Sequence, residues 1–588
     1  MYLEHINSPE DVRALPQEAL GALADEIRSG IIDSSAVIGG HVGSNLSVVE
    51  LTIALHRVFS TPRDKIVFDV SHQTYAHKML TGRANAFLDP KHYEDVSGFS
   101  NPSESEHDLF AMGHTSTSVS LACGLVTARD LAGEKYDVVA IIGDGSLSGG
   151  LAFEGLDNAA ELNSGLIVVI NDNEWSIAPN QGGIYRNLAE LRASGGTCER
   201  NVFKTLGFDY RYLECGHDIA ALEEALRSVR GIDHPVVLHV HTQKGHGYAL
   251  ATADPESWHH ATPFDAKTGA PLSPCQEQDY ATITAELLIT RIEADRRVVA
   301  VNAATPYIMG FTPELRERAG AQFVDVGIAE EHAVTYVTGL ARGGAKPVLG
   351  IYATFLQRAY DELWHDLCLN SVPAVILVFG ASAYGTTDAT HLGFFDIPML
   401  GAMPGLTYLA PTCREEYVDM LSWALEQNKG PVALRVPVAD VVSRPDFSPA
   451  PSYEQGSEIV RRGSEVALLA LGDVFPLGES VADELWSKLG VRATLINPRH
   501  ATSPDETLIS ELASDHRLFV TLEDGVLEGG FGERCARVLA TSENVRVRCY
   551  GLPLAFVDRY EPAELLASCG MTVEGIVSDV KRLLAASH

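Results

Sequence analysis

The sequence predicts an α/β protein of three domains, each a mostly parallel sheet flanked by helices, and three patterns carry that prediction. The first is a set of uninterrupted apolar runs such as residues 138–142 and 166–170. Strands buried on both faces read this way, whereas strands with one wet face alternate. The second is a polar cluster at the end of each run, Gly143-Asp144-Gly145-Ser146 after one and Asn171-Asp172-Asn173 after the other. The third is a pair of connectors rich in proline, glycine and polar residues, 266–280 and 443–452, which divide the chain into blocks. The expected domains are 1–278, 279–442 and 455–588.

In the first block, residues 151–162 read as a helix with Leu151, Gly155, Ala159 and Leu162 on one face, the small residues allowing close packing on the sheet. The order is then strand, loop, helix, strand, loop, with both loops at the carboxyl edge of one sheet, where open α/β sheets bind ligands. Mg²⁺ takes oxygen ligands in near-octahedral geometry, usually only one or two of them from carboxylates and the rest largely from phosphates. Asp144 and the Asn173 side-chain carbonyl suit that demand. A Gly-Asp-Gly turn alone is more often only a turn; the pairing makes it specific. A nicotinamide site is set aside, because Gly143, Gly145 and Gly149 do not give the G-x-G-x-x-G spacing. The second block opens with a helix over 282–295 and alternates strands at 323–326, 347–352, 373–379 and 431–436 with helices. The third starts near the apolar run 466–471.

Composition narrows the function. The 588 residues include 44 Lys and Arg against 78 Asp and Glu, a formal net charge of −34, which argues against nucleic acid or an anionic membrane as the main partner. An anionic substrate must therefore meet a local positive site. Nine cysteines without a C-x-x-C pair suggest neither a disulfide framework nor a zinc site. With no apolar leader at the start and no run of eighteen uncharged apolar residues, the expectation is a cytoplasmic protein.

Further motifs come in order along the chain: Gly40-His41, Val49-Glu50-Leu51-Thr52, Asp69-Val70-Ser71-His72-Gln73, Glu104-Ser105-Glu106-His107-Asp108, Gly113-His114-Thr115-Ser116, Ile328-Ala329-Glu330-Glu331-His332, and Thr354-Phe355-Leu356-Gln357-Arg358-Ala359-Tyr360-Asp361. With Gly143-Asp144-Gly145 and Asn171-Asp172-Asn173-Glu174, they make the chain resemble the 1-deoxy-D-xylulose-5-phosphate synthase family, relatives of transketolase that use thiamine diphosphate (ThDP). The resemblance covers nearly the whole chain. It implies a transketolase-like fold and a homodimer. Domain 1–278 would hold the diphosphate and Mg²⁺, domain 279–442 the aminopyrimidine, and domain 455–588 would be the transketolase C-terminal type. The implied substrates are small molecules, a 2-keto acid such as pyruvate and an aldehyde such as D-glyceraldehyde 3-phosphate, joined with loss of CO₂.

The same resemblance implies residue roles. Glu330 would hydrogen-bond the aminopyrimidine and favour the imino tautomer whose nitrogen removes the thiazolium C2 proton. Tyr352 and Phe355 would pack on the cofactor rings, with Arg358 among the contacts. Ile177 would hold the bent cofactor, with Ser176 beside it. His72, Gly113, His114, Thr115, Gly145 and Ser146 would meet the diphosphate, and Tyr248 the cofactor. Asp144, Asn173 and the Trp175 backbone carbonyl would bind the metal. His41, His259 and His391 would face the reactive carbon and the substrates, moving protons and stabilising oxyanions. Blander readings stand beside these. Glu330 and Glu331 are also ordinary first-turn acids of a helix, aromatics at a strand end are usually core, and most of 21 histidines are structural. Glu331 stands where the family commonly has glutamine, and His260 next to His259 leaves the register there open.

The departures concern the acceptor. Two family arginines that bind its phosphate correspond to Gly380 and Val438, and neither can offer a forked donor. A family aspartate position holds Thr387, with Asp388 next to it. Arg358, Arg435 and Lys346 are the candidates to compensate. The segment 178–203 is shorter than the mobile segment found there in the family, and a shorter lid would admit a different acceptor. Three readings remain: the family reaction; the same ThDP chemistry with another acceptor or a ketol donor; and a catalytically silent homologue.

Overall fold

The computed structural model describes residues 1–273 and 278–585, so the centre of the first connector, 274–277, lies outside the described residues. The chain forms two compact units, Met1–Gln276 with Val326–Ala329, and Glu277–Asp325 with Glu330–His588.

The first unit is built on one all-parallel sheet of β1 (Lys65–Phe68), β2 (Val138–Gly143), β3 (Leu166–Asp172), β4 (Asp209–Leu213) and β5 (Pro235–His241), in the order β1-β2-β3-β5-β4. Successive side chains of a strand point to opposite faces, and here both faces are covered. Val138, Ala140 and Ile142 pack with the helices Ser118–Ala132 and Gly150–Ala160, while Val139 and Ile141 pack with Val49–Val58 and Ile219–Val229. This double burial is why β2 and β3 lack alternation. The register pairs Gly143 with Asn171, so both polar motifs leave one sheet edge as expected.

One helix keeps most of the face its sequence predicts and loses one member of it. Helix Gly150–Ala160 buries Gly155 and Ala159, together with Ala152 and Leu156, and Leu162 just beyond it packs on the same core, whereas Leu151 is 38% exposed. Gly155 still permits close approach, but to the neighbouring helix: a Cβ there would lie 2.9 Å from Ser120 Oγ.

The second unit carries two sheets. The first, all parallel, has the order β10-β11-β9-β8-β6-β7, where β6 is Val298–Asn302, β7 Phe323–Asp325, β8 Lys346–Tyr352, β9 Val375–Phe379, β10 Thr407–Leu409 and β11 Val432–Arg435. The expected strands fall within two residues of β7, β8, β9 and β11. The expected helix 282–295 is Tyr280–Ala294, starting earlier because the Asp279 carboxylate accepts the Thr282 N–H and caps it. The second sheet has the order β12-β14-β13-β15-β16: β12 Glu458–Arg461, β13 Glu465–Ala470, β14 Thr494–Asn497, β15 His516–Val526 and β16 Arg546–Leu552. Only β12 runs antiparallel. This polar edge strand precedes the start expected near 466; with one neighbour and a half-exposed surface it needs no apolar run. Among the described residues no helix is long and apolar enough to cross a membrane.

Candidate functional site

In the first unit, β2 hands its chain to a single turn, Asp144–Ser148, and β3 delivers Asn171, Asp172 and Asn173 alongside. Asp144 is 1% exposed. Its Oδ2 accepts from Asn180 Nδ2 at 2.6 Å, and Oδ1 faces the Asn173 N–H at 3.4 Å. Burial, and then the charge of Asp172, push the Asp144 carboxyl well above the usual range. Asp172 behaves oppositely. Burial works against its charge, but bonds from His239 Nε2 (2.9 Å) and Arg192 outweigh that and keep it ionised. A buried carboxylate forced to share space with a second anion is relieved by a hard cation, so this pair suits Mg²⁺. Asn173 Oδ1 accepts the Trp175 N–H at 3.1 Å and Trp175 is bridged to Pro179, which folds 173–179 into a tight turn over the loop.

The loops are fitted to one another by small residues. A Cβ on Gly145 would stand 2.7 Å from Ser176 Cβ, so only glycine lets the two turns touch. Ser176 is buried, and its carbonyl accepts from Lys244 Nζ at 2.6 Å. Burial pushes that ammonium down to about 7. Ile177 next to it is half-buried. The turn Gly113-His114-Thr115 is tied in by Ser116, whose Oγ donates to the Ser146 carbonyl at 2.8 Å and whose φ is +71°. Asp69 holds that turn by accepting the N–H groups of Ser116 (2.7 Å) and Ser118 (2.9 Å). A cavity of about 500 Å³ runs beside Asn173, Trp175 and Lys244.

Histidines gather in the same unit. The His41 ring lies 5.0 Å from His72, 5.5 Å from His259 and 4.8 Å from His260, and His72 lies 5.3 Å from His259. Burial lowers His259 well below its usual range and lowers His260 as well, so both are neutral imidazoles at neutral pH. Both members of the ambiguous pair are therefore in the cluster. Asn45 orders it: its Nδ2 donates to the carbonyls of His41 (2.6 Å) and His72 (2.7 Å) while its Oδ1 accepts the Tyr75 N–H. Tyr248 sits partly buried against the packed helical layer: its hydroxyl donates to the Ala266 carbonyl at 2.8 Å and its ring stands edge-on to Trp258. Glu50, His217 and His246 converge as metal ligands do, but His217 already donates to Glu50 and accepts the Gln243 N–H, and Arg28 neutralises Glu50. That cluster is an ion network.

In the second unit, Glu330 opens the helix Glu330–Arg342 and is 4% exposed. Its Oε2 has no hydrogen-bond partner among the described residues, the closest cation being Arg358 Nη1 at 3.7 Å. Burial raises its pKa, with Arg358 opposing. An orphaned buried carboxyl is costly, and a ring nitrogen donor or acceptor would satisfy it. Tyr352 closes β8, with Phe355 edge-on at 5.7 Å and the His391 ring 5.6 Å from Phe355. Asp388 Oδ1 accepts from Thr390 (N 2.8 Å, Oγ1 2.6 Å), whose Oγ1 contacts His391 Nδ1 at 2.8 Å. Asp388 thus reaches the His391 ring through Thr390.

The compensating cations fare unequally. Arg435 is fully buried and held between Asp396 (2.9 Å) and Asp524, so it cannot grip a phosphate. Lys346 starts β8, at the opposite end from Tyr352, and pairs with Glu426 and Asp295. Only Arg358 remains near candidate site residues. Gly380 has φ +67° with the Tyr352 ring 3.0 Å from where a Cβ would lie, which explains why no side chain stands there. Val438 donates its N–H to Asp473 at 3.1 Å.

Residues 3–198 match the family described as 1-deoxy-D-xylulose-5-phosphate synthase, residues 276–442 the transketolase pyrimidine binding domain, and residues 456–576 the transketolase C-terminal domain. Along the whole chain, 1-deoxy-D-xylulose-5-phosphate synthase of Pelotomaculum thermopropionicum is 40% identical, covering 98% of this chain and 96% of its own. The enzyme of Alkaliphilus oremlandii is 37% identical over 99% of both chains, and synthase 1 of Geobacter sulfurreducens 39% identical over 99% and 98%. The chain belongs to the 1-deoxy-D-xylulose-5-phosphate synthase family. As a member it is a ThDP-dependent transferase of the transketolase type.

Several residues escaped the sequence reading. Asn180, Tyr185 and Arg192 all come from the short segment 178–203, which forms the helix Gly183–Ala193 and places these side chains on the Asp144 and Asp172 loops. The segment acts as a brace for the loop. Asn45 also passed unnoticed, and Asp69 was read only as part of its motif, without its role on the Ser116 turn. Their neighbours His41 and His72 carried the only available signal.

Proposed function

We propose that this synthase-family chain decarboxylates pyruvate and joins the two-carbon unit to an aldehyde, D-glyceraldehyde 3-phosphate in the family reaction, using ThDP and Mg²⁺. The observation that carries the reading is the pair of buried carboxyls with no cation to balance them well, Asp144 beside the anionic Asp172 and Glu330 with an oxygen that has no hydrogen-bond partner among the described residues. Bound ThDP supplies the carbon nucleophile for both steps. Asp144 and Asn173, with the Trp175 carbonyl, would hold the metal. Gly145, Ser146, Gly113, His114, Thr115 and His72 would meet the diphosphate, with Ser176 and Ile177 against the ring. Glu330 would orient the aminopyrimidine beside Tyr352 and Phe355, with Arg358 flanking. His41, His259 and His391 would move protons at the substrates, and the neutral state of His259 suits a hydrogen bond to a developing oxyanion. The division 1–278, 279–442 and 455–588, homodimeric assembly and cytoplasmic residence belong to the same reading.

A second reading concerns the acceptor alone: it lacks a phosphate, or its phosphate is held elsewhere. Gly380 in a left-handed turn, Val438 capped by Asp473 and the locked Arg435 support it. The test compares kcat/KM for glyceraldehyde 3-phosphate and for unphosphorylated aldehydes with pyruvate, read as CO₂ release and product mass. A preference for the phosphorylated triose of about a hundredfold, roughly 2.7 kcal/mol of transition-state binding, would establish a phosphate site, and Arg358 would be the first residue to replace.

A further inference from the structure

No candidate site residue lies in the second sheet of the second unit, yet that sheet and the chain leaving it hold the loop that carries His391 at four points. Ser382 Oγ donates to Asp524 on β15 at 2.5 Å. The Val526 N–H donates to the Phe394 carbonyl at 3.0 Å, and the Arg559 N–H to the Thr387 carbonyl at 2.9 Å. The Ala389 N–H donates to Asp558 Oδ1 at 3.1 Å. Rings reinforce the far end, Phe394 against Tyr560 and Phe395 against Phe556, each at 6.2 Å.

Two of these bonds grip the stretch just before His391. Within it, Asp388 fixes Thr390, and Thr390 meets the His391 ring. The direction of the imidazole therefore depends on how 387–390 is seated. The seat is the irregular chain 553–560 after β16, and Arg559 there adopts φ +48° to present its own N–H to Thr387 while Asp558 faces Ala389. From this geometry we infer that Asp558 is a positioning residue, whose carboxylate on the Ala389 amide sets the register of the 387–391 turn and so the aim of His391. The inference rests on the reading of His391 as substrate-facing. Catalytic geometry is sensitive on this scale, since a misplacement of about 1 Å costs up to roughly a hundredfold in rate. Asp558 has a side chain 31% exposed and also pairs with the neighbouring Arg559, so replacing it opens no core cavity and, besides the Ala389 bond, forfeits a weak surface pair.

The experiment uses the full chain with ThDP and Mg²⁺, comparing wild type, Asp558→Ala, Asp558→Asn, His391→Ala and the double variant His391→Ala/Asp558→Ala. Asp558→Ala is expected to lower kcat/KM for the aldehyde about tenfold with the unfolding midpoint unchanged, and to speed amide exchange in residues 384–395 about tenfold. Asp558→Asn keeps an acceptor oxygen and retains near-wild-type values for both. In the His391→Ala background the further loss from Asp558→Ala shrinks to less than twofold, since both changes remove the same interaction. Unchanged exchange in Asp558→Ala, an equal tenfold loss without His391, or an Asp558→Asn variant as poor as the alanine would each overturn the proposal. Wild-type turnover in His391→Ala would instead sink the reading of His391, and the exchange data would still decide whether Asp558 seats the loop.

Discussion

Replacing Asp144 by asparagine separates the cost of its charge from the service it renders. Without a cation the buried carboxyl is pushed well above its usual range, first by desolvation and then by Asp172. A carboxyl with a raised folded-state pKa contributes stability that is present below the unfolded value and lost as pH rises through the folded one. Each unit of upward shift withdraws about 1.4 kcal/mol once both values are passed. Asparagine removes that burden while its amide oxygen still accepts from Asn180 Nδ2. The apo variant should therefore melt at or above the wild type at pH 8, with the advantage shrinking as pH falls toward 5. With cofactor the order reverses. At a hundredfold excess over Kd a ligand specific to the native state adds about 2.7 kcal/mol, or about 5 °C for a unit of this size at roughly 2 °C per kcal/mol. The variant should show none of the Mg²⁺-dependent part. Scanning calorimetry at several pH values, with and without ThDP and Mg²⁺, reads both effects. A full Mg²⁺-dependent shift in Asp144→Asn would refute the metal assignment, and an apo variant several degrees less stable at pH 8 would refute the electrostatic argument.

Glu330→Gln keeps the size of the side chain but not its charge, and turnover should fall by about a thousandfold while ThDP binding changes by less than about tenfold. Exchange of the cofactor C2 proton, followed by NMR after acid quench, reports the affected step; a rate near wild type would remove Glu330 from its role. Gly145→Ala would drive a methyl group to 2.7 Å from Ser176 Cβ, an overpacking worth about 1–3 kcal/mol. Titration calorimetry should show ThDP affinity reduced at least tenfold, and unaltered affinity would mean that the two turns need not touch. Lys244→Met removes the donor to the Ser176 carbonyl and should weaken ThDP binding by about tenfold, the scale of one hydrogen bond from a charged group; stopped-flow quenching of Trp175 fluorescence measures it.

Legibility in the sequence was confined to whatever repeats locally. β2 and β3 and their loops could be placed because double burial makes an apolar run and the chemistry sits directly after it. Helix Gly150–Ala160 was legible as a helix and in most of its buried face, Gly155 and Ala159, but not in Leu151, whose place in the first turn leaves it exposed. β12 carries no apolar signature because an edge strand needs none. The supporting residues failed for a different reason. Asn45, Asn180 and Arg192 act across long stretches of chain, and polar residues of these types are common everywhere. Arg435 shows the hazard best. By sequence it was a free cation near a strand end, and its neutralising partners Asp396 and Asp524 lie 39 and 89 residues away.

The same buried arginine has a consequence for how the molecule is held together. Arg435 belongs to β11 in one sheet, Asp524 to β15 in the other, and both are sealed from water with Asp396 and Tyr408. Removing Asp524 from the intact fold would leave Arg435 buried with only Asp396 to balance it, a loss of about 3–5 kcal/mol. Two segments that match separate family domains are thereby joined, inside one compact unit, by a buried ion cluster whose geometry neither sheet can set alone.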